Sequence, residues 1–343
     1  MEIRKQEILK ATIDNYIETA EPVGSKLLSE HESFDVSPAT VRSELNNLEK
    51  EGYLTQIHTS SGRVPTDKGY RYYVDTLMKR DDISLEQQKS IINKLSLIGS
   101  DINEVLTEIT SVMSSVINYT TIVITPDIYE ETLKLAHLVL VDIDRILVVL
   151  MDTIGVNTEF LIRINHKIDQ DDLNKISKLL TEKLGGKTIT DVSHAIAAEL
   201  ISELPHFNVI LKKLGEELKK VKAKSSSKSR QLMTGGVSKM LNLPEFKNVE
   251  LTQKVIATLE ENKVLLGVLS EYLNQQEEQV VIGEECKVAN LKECSVVIAP
   301  YKVQNQSVGA IGILGPKRMA YSSIVPLVKN VSGLINDYLD KEQ

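Results

Sequence analysis

Tryptophan is absent from this chain of 343 residues, phenylalanine occurs four times, and aromatic residues make up only 4% of it. Proteins that grip RNA or single-stranded DNA stack bases on aromatic platforms, and there are few side chains here to build one. Cysteine occurs twice, as Cys286 and Cys294, at a spacing that matches no zinc or thiol-redox motif. The longest apolar runs, such as Ile146 to Met151, fall far short of the ~20 residues that cross a bilayer. The charged start Met1-Glu2-Ile3-Arg4-Lys5 is no signal peptide, so the expectation is a cytoplasmic protein with no membrane contact. Positive charge is also scarce. The formal net charge is −8, and residues 1–80 carry 11 Lys and Arg against 13 Asp and Glu, which argues against tight non-specific binding to nucleic acid.

A catalytic constellation is missing too. The histidines (His31, His58, His137, His166, His194, His206) form no H-x-x-x-H or H-E-x-x-H pair, the spacings that bind a metal on one helix face. Gly185-Gly186-Lys187-Thr188 ends like a phosphate loop, but Thr181 stands where its first glycine belongs. Ser225 and Lys228 make S-x-x-K only inside a serine-rich run. Gly309, Gly312 and Gly315 sit in a strand pattern and read as close packing, not as a dinucleotide fingerprint. The expectation is no enzyme, no cofactor and no metal.

What is present lies between Val36 and Leu54, in VSPATVRSELNNLEKEGYL. Ser37 is an N-cap, and Pro38 takes the first helical position, where a missing N–H costs nothing. Val41, Leu45 and Leu48 make a narrow apolar stripe. The opposite face carries Ala39, Ser43, Asn46, Asn47 and Lys50, flanked by Thr40 and Arg42, all small or hydrogen-bonding. Alone this is an ordinary capped amphipathic helix, but its neighbours fit a larger unit. A helical stripe (Ile8, Leu9, Ile13, Tyr16, Ile17) precedes it, broken at Glu21-Pro22-Val23-Gly24, and a short helix starts at Lys26. That is helix-turn-helix order, in which the last helix reads the groove. After it, Tyr53 to Ile57 reads as a strand and His58-Thr59-Ser60-Ser61-Gly62-Arg63 as a polar turn. Val64 starts a return strand, so the three make a wing. Ser37, Thr40, Arg42, Ser43, Asn46 and Asn47 on the helix, His58, Thr59, Ser60, Ser61 and Arg63 in the wing, and Lys68 and Arg71 beyond it are the candidate DNA contacts. The stronger basic run, Lys212 to Arg230, reads as a solvated helix end entering a serine loop, with a second DNA contact as the alternative.

The runs DNYIETAEPVGSKLL, VSPATVRSELNNLEKEGYL and HTSSGRVPTDKGYRYYVD, with GGVSKMLNLPEF (Gly235 to Phe246) and SVVIAPYKV to VGAIGILGPKRMAY (Ser295 to Tyr321), resemble the HrcA family of bacterial heat-inducible transcription repressors. Between Asp169 and Arg230 only the pattern of helices is similar. The resemblance implies a homodimer on an inverted-repeat operator upstream of chaperone operons, release on heat stress, and support of activity by the chaperonin GroEL. Periodicity shows none of that. Past residue 80 it shows a helical stretch over Ile83 to Tyr119, strands at Thr121–Thr125, Leu133–Asp142, Arg145–Asp152 and Val156–Ile164, then helices, then strands again from Val280. This is an α+β multidomain chain in which a sheet domain is interrupted by an insertion. With the family's arrangement, residues 1–80 are a winged helix-turn-helix and 81–165 the first part of a GAF-like α/β sheet domain. Residues 166–235 are an inserted, mainly helical dimerisation domain, and 236–343 the second part of the GAF-like domain. A repressor that answers a small molecule held in the GAF-like sheet is the rival reading; a cavity with convergent polar groups would favour it.

Overall fold

The computed structural model describes residues 1–30, 37–57, 62–81, 102–126, 132–153, 157–165, 168–196, 200–201, 207–225, 230–303 and 306–341. Three helices open the chain, α1 (Ile3–Thr19), α2 (Ser25–Ser29) and α3 (Pro38–Lys50). Ala20 ends α1 in the left-handed conformation, with its N–H on the Tyr16 carbonyl. A two-stranded antiparallel ribbon follows, β1 (Leu54–Gln56) with β2 (Arg63–Pro65). Thr66 then caps α4 (Asp67–Tyr72) by accepting the Gly69 N–H. These elements make a helix-turn-helix followed by a two-stranded ribbon, and the turn His58 to Ser61, expected as the wing tip, lies outside the described residues.

Beyond it lie α5 (Ile102–Val116) and β3 (Thr120–Ile124). The chain then makes a second unit: β4 (Leu133–Asp142), β5 (Arg145–Asp152), β6 (Asn157–Arg163), α6 (Gln170–Leu184), α7 (Ile189–Ala195) and α8 (Asn208–Ser225). It returns through β7 (Leu232–Gly235), α9 (Val237–Met240), α10 (Val249–Glu260) and α11 (Asn262–Ser270). Strands β8 (Gln279–Ile282), β9 (Cys294–Val303) and β10 (Gln306–Pro316) and helix α12 (Tyr321–Lys341) complete it. The main sheet has the order β7-β3-β10-β9-β8, antiparallel throughout. Alternation along its strands supplies both faces. Val123, Val297, Ala299 and Ile311 share a core with α5 and α12, while Ile122, Ile124, Val296 and Ile298 share one with Val255 and Leu259 of α10 and Leu265 and Leu269 of α11. Gly309 is glycine because a Cβ there would stand 2.2 Å from the Tyr301 hydroxyl, which donates to the Ile124 carbonyl.

One expectation fails here. The strands at 133–164 do not join the main sheet; β4-β5-β6 form a sheet of their own. One face of it (Leu138, Ile146, Val148, Ile162) packs on Leu173, Ile176 and Leu180 of α6 and on Leu211 and Leu214 of α8. The unit set into the main sheet domain therefore begins near Leu133, not at 166, and is half sheet. Near-continuous apolar strands show that a sheet is covered but not which sheet it is. The apolar helical stretch from Leu251 to Leu273 forms not one helix but two, broken at Glu261.

The winged-helix core does not close at residue 80. Leu48, Leu54, Tyr70 and Tyr73 belong to the same buried cluster as Ile282, Tyr321, Val325 and Val328. Ion pairs ring the seam. Lys317 lies 3.0 Å from Asp67 and 3.1 Å from Glu293. Arg318 pairs with Glu245 at 2.5 Å and donates to the Ile17 carbonyl. Glu278, only 4% exposed, takes both Arg80 and Lys329. Burial pulls the Lys317 ammonium downward, but the two carboxylates outweigh it, so it titrates above the ordinary lysine range and stays charged. Inside this ring the Tyr70 ring faces Tyr321 with centroids 6.0 Å apart, and the buried Tyr70 hydroxyl has no hydrogen-bond partner among the described residues. A buried polar atom left unpaired costs about 1–3 kcal/mol. We therefore expect Tyr70→Phe to raise the thermal midpoint of the full chain, by roughly 1–2 kcal/mol in stability; a clear drop would mean that the hydroxyl is paired.

Candidate nucleic-acid interface

Helix α3 is built as its sequence indicates. The Ser37 hydroxyl accepts the Thr40 N–H at 3.2 Å, Pro38 holds the first position, and Val41, Leu45 and Leu48 are buried. Ala39, Arg42, Ser43, Asn46 and Lys50 are exposed, and Thr40 and Asn47 are partly so. Ser37 and Thr40 also share a hydroxyl–hydroxyl contact of 3.0 Å, so their oxygens serve the cap first. Among the described residues, the side chains of Arg42, Ser43, Asn47 and Lys50 make no hydrogen bond or ion pair. They are available to an outside partner.

The other cations are engaged. Arg63 donates to Asn46 Oδ1 at 2.8 Å, and its Nε lies 2.8 Å from Glu49 Oε2, at ion-pair range though off the line of a hydrogen bond. Lys68 Nζ donates to the Glu51 carbonyl at 2.8 Å, at the C-terminal end of α3 where a cation favours the helix dipole. It also lies 4.4 Å from the centre of the Tyr53 ring. Arg71 turns the other way. Its guanidinium meets Glu285, Asp75 and the Val280 carbonyl at the seam with the main sheet. The sequence places Arg71 beside DNA because a surface cation after a wing suits phosphate; of its two acidic partners Asp75 is local, while Glu285 lies more than two hundred residues away and leaves no local signal. His58, Thr59, Ser60 and Ser61 lie outside the described residues.

The wing is fastened to the helix-turn-helix through Arg63. Its backbone N–H donates to the Val23 carbonyl at 2.8 Å, and the Val23 N–H returns to the Arg63 carbonyl at 2.9 Å. This brings Pro22-Val23, the break between α1 and α2, against Gly62. A Cβ on Gly62 would sit 2.5 Å from the Val23 carbonyl carbon and 2.6 Å from that of Pro22. Sequence inspection found Gly62 as a turn former and missed this close approach.

Neither thiol is placed for chemistry. Burial first, then Cys286 and Glu293, pushes the Cys294 thiol up to about 12, and burial raises Cys286 as well; both stay protonated and inert. No group of His, Cys, Asp and Glu among the described residues could hold a metal, and no helix among them is long and apolar enough to cross a membrane.

Residues 26–63 match the DeoR-like helix-turn-helix domain, and residues 103–325 match the family described as HrcA protein C terminal domain. A protein of Pelotomaculum thermopropionicum is 34% identical over 338 residues, covering 98% of this chain and 97% of its own length. One of Desulforamulus reducens is 36% identical over 342 residues, covering 99% and 98%. Both are named heat-inducible transcription repressor HrcA. The chain belongs to the HrcA family. That is a family of transcription repressors and not of enzymes. A crystal structure at 2.2 Å of a hypothetical protein shares the fold across 100% of both chains, with a TM-score of 0.70 at 20% identity. Within this HrcA-family fold Gly62 is a steric requirement. We expect Gly62→Ala to cost about 1–3 kcal/mol, because backbone atoms on the other side cannot yield, and to weaken binding to every duplex. An unchanged thermal midpoint would show that the wing is not seated on Val23.

Proposed function

We propose that this HrcA-family chain represses chaperone operons by binding an inverted-repeat operator in duplex DNA as a homodimer in the cytoplasm. The observation that carries the reading is α3: a capped helix, held from behind by Val41, Leu45 and Leu48, whose outer face offers Arg42, Ser43, Asn46 and Asn47. A helix of this kind fits a major groove, where a guanidinium and amides discriminate base edges. In this reading Ser37 and Thr40 stand close to the backbone at the start of α3, while Arg63, Lys68 and the residues His58 to Ser61 belong to the wing side. Arg71 is left out of the contact set, since its charge is engaged at the seam.

The homodimer reading draws on the second unit. Only one face of the β4-β5-β6 sheet is covered by its helices. The other carries Leu135, Val141 and Leu161, which are 44%, 54% and 52% exposed, with Val139 opposite Leu147 and Leu147 opposite Leu161 across the strands. A contiguous apolar face of that kind is what a self-complementary two-fold contact needs. A two-fold protein then matches a two-fold operator. Release on heating follows from parting this face, and a chaperonin such as GroEL would receive the apolar strands so exposed; both rest on the family resemblance. We further infer that the main sheet domain is GAF-like and that the second unit is its inserted dimerisation domain. The ligand-responsive alternative has one observation in its favour, a cavity of about 270 Å³ lined by Asp81, Asn118, Tyr119, Arg318 and Ser323, while apolar side chains fill both faces of the main sheet itself.

Two measurements test the proposal. Arg42→Ala should cost roughly 1–3 kcal/mol in operator affinity and leave binding to random DNA nearly unchanged; equal losses on both would place Arg42 on phosphate. Leu161→Glu should give a monomer by light scattering and lower operator affinity by about 10²–10⁴, the advantage of making the second half-site contact intramolecular. A dimer that persists at full affinity would move the interface away from this face.

A further inference from the structure

The contact between Arg63 and Asn46 joins two parts of the winged helix that are usually given separate tasks, the wing and the recognition helix. Arg63 is the first residue of β2, its backbone N–H and carbonyl both bond Val23, and its side chain is only 15% exposed. From that fixed root it reaches α3, donating to Asn46 Oδ1 at 2.8 Å while Glu49, one turn further along α3, holds its Nε side. A guanidinium has donors only. The atom of the Asn46 amide that faces it must therefore be the oxygen, and the NH2 end is the one left for an outside partner.

Resting on the reading that α3 lies in the major groove, we infer that Arg63 is a positioning residue that sets base preference by turning the Asn46 amide into a donor. A free asparagine presents oxygen and nitrogen together and so matches adenine, which offers the N6 donor beside the N7 acceptor. An asparagine whose oxygen is held by Arg63 presents hydrogen-bond donors. The base edge with two neighbouring acceptors is guanine, through O6 and N7. The Arg63–Asn46 pair thus selects guanine over adenine at one position of each half-site. Glu49 keeps the device in place by balancing the buried end of the Arg63 charge, so that Arg63 stays on α3 when a phosphate comes near.

The test is selection of bound duplexes from a random pool with the full-length chain, compared between wild type and variants whose thermal midpoints are recorded. Wild type should show one guanine position per half-site whose preference disappears in Asn46→Ala. Arg63→Met should accept adenine at that position, with the guanine preference reduced roughly tenfold, the scale of one base-edge contact. Arg63→Lys, still a donor, should retain guanine. Asn46→Asp keeps the pair to Arg63 but has no donor to offer, so it should shift that position toward cytosine, whose N4 amino group donates; it tests the idea even if Arg63→Met unfolds. Equal weakening on all duplexes by Arg63→Met, with an unchanged preference and an Asn46→Asp profile like wild type, would overturn the inference and make Arg63 a plain strut or phosphate contact. If instead Asn46→Ala alters no position at all, the placement of α3 in the groove fails first, and the inference with it.

Discussion

The apolar seam between the winged helix and the main sheet is the contact on which the rest depends. Burial of aliphatic and aromatic surface is non-directional and contributes about 25 cal/mol per Å², so it holds two units together without choosing an angle. The choice of angle falls to the ring around it. Lys317 sits between Asp67 and Glu293, Arg318 joins Glu245 and the end of α1, and Asp67 also accepts the Glu284 N–H. Exposed ion pairs contribute little to stability, but several converging on one seam exclude neighbouring registers. Helix α3 is thereby fixed relative to the main sheet, so that in the proposed two-fold arrangement the spacing between two such helices would be defined.

The same ion pairs account for an acidic protein with a DNA-reading surface. In residues 1–80 most cations have internal work: Lys5 and Lys68 close the end of α3 at Glu51, Arg63 holds Glu49, and Arg71 holds Glu285. Each such pair removes one charge from the count available to phosphates, and non-specific affinity scales with that count. On α3 itself Arg42 and Lys50 carry the charges that no such pair engages among the described residues. A reading helix with two free cations is suited to discriminate mainly through base edges.

Local chemistry was legible in the sequence and long-range pairing was not. The cap at Ser37, the proline start, the stripe of Val41, Leu45 and Leu48, and the strands flanking the wing are all set by neighbours within a few residues, and each stands where the sequence places it. The engagement of Arg71 at the seam left no trace in the sequence because Glu285 is distant in the chain. The strands β4 to β6 were given to the wrong sheet because an apolar strand carries no mark of its partner. The short β7 was missed altogether: Leu232 to Gly235 is too brief to show a period, and it becomes a strand through pairing with β3. Helix-breaking at Glu261 left no glycine or proline to announce it.

The second unit shows how a sheet can be sealed along one edge and open on a face. Strand β4 is an edge strand, and its outward N–H groups would invite strand addition. Helix α6 blocks them. Gln170, Ser177 and Thr181, seven and four residues apart on one helix face, accept the N–H groups of Leu140, Leu138 and Ala136 at 2.8, 2.9 and 3.0 Å, and Gln170 returns a bond to the Leu138 carbonyl. Side chains thus do for β4 what a neighbouring strand would do. Pairing through that edge would require α6 to lift and these four backbone groups to change partners, whereas the opposite face of the sheet offers Leu135, Val141 and Leu161 with nothing to displace. Association through the face would therefore be the cheaper contact for this unit, because it leaves the β4 edge closed.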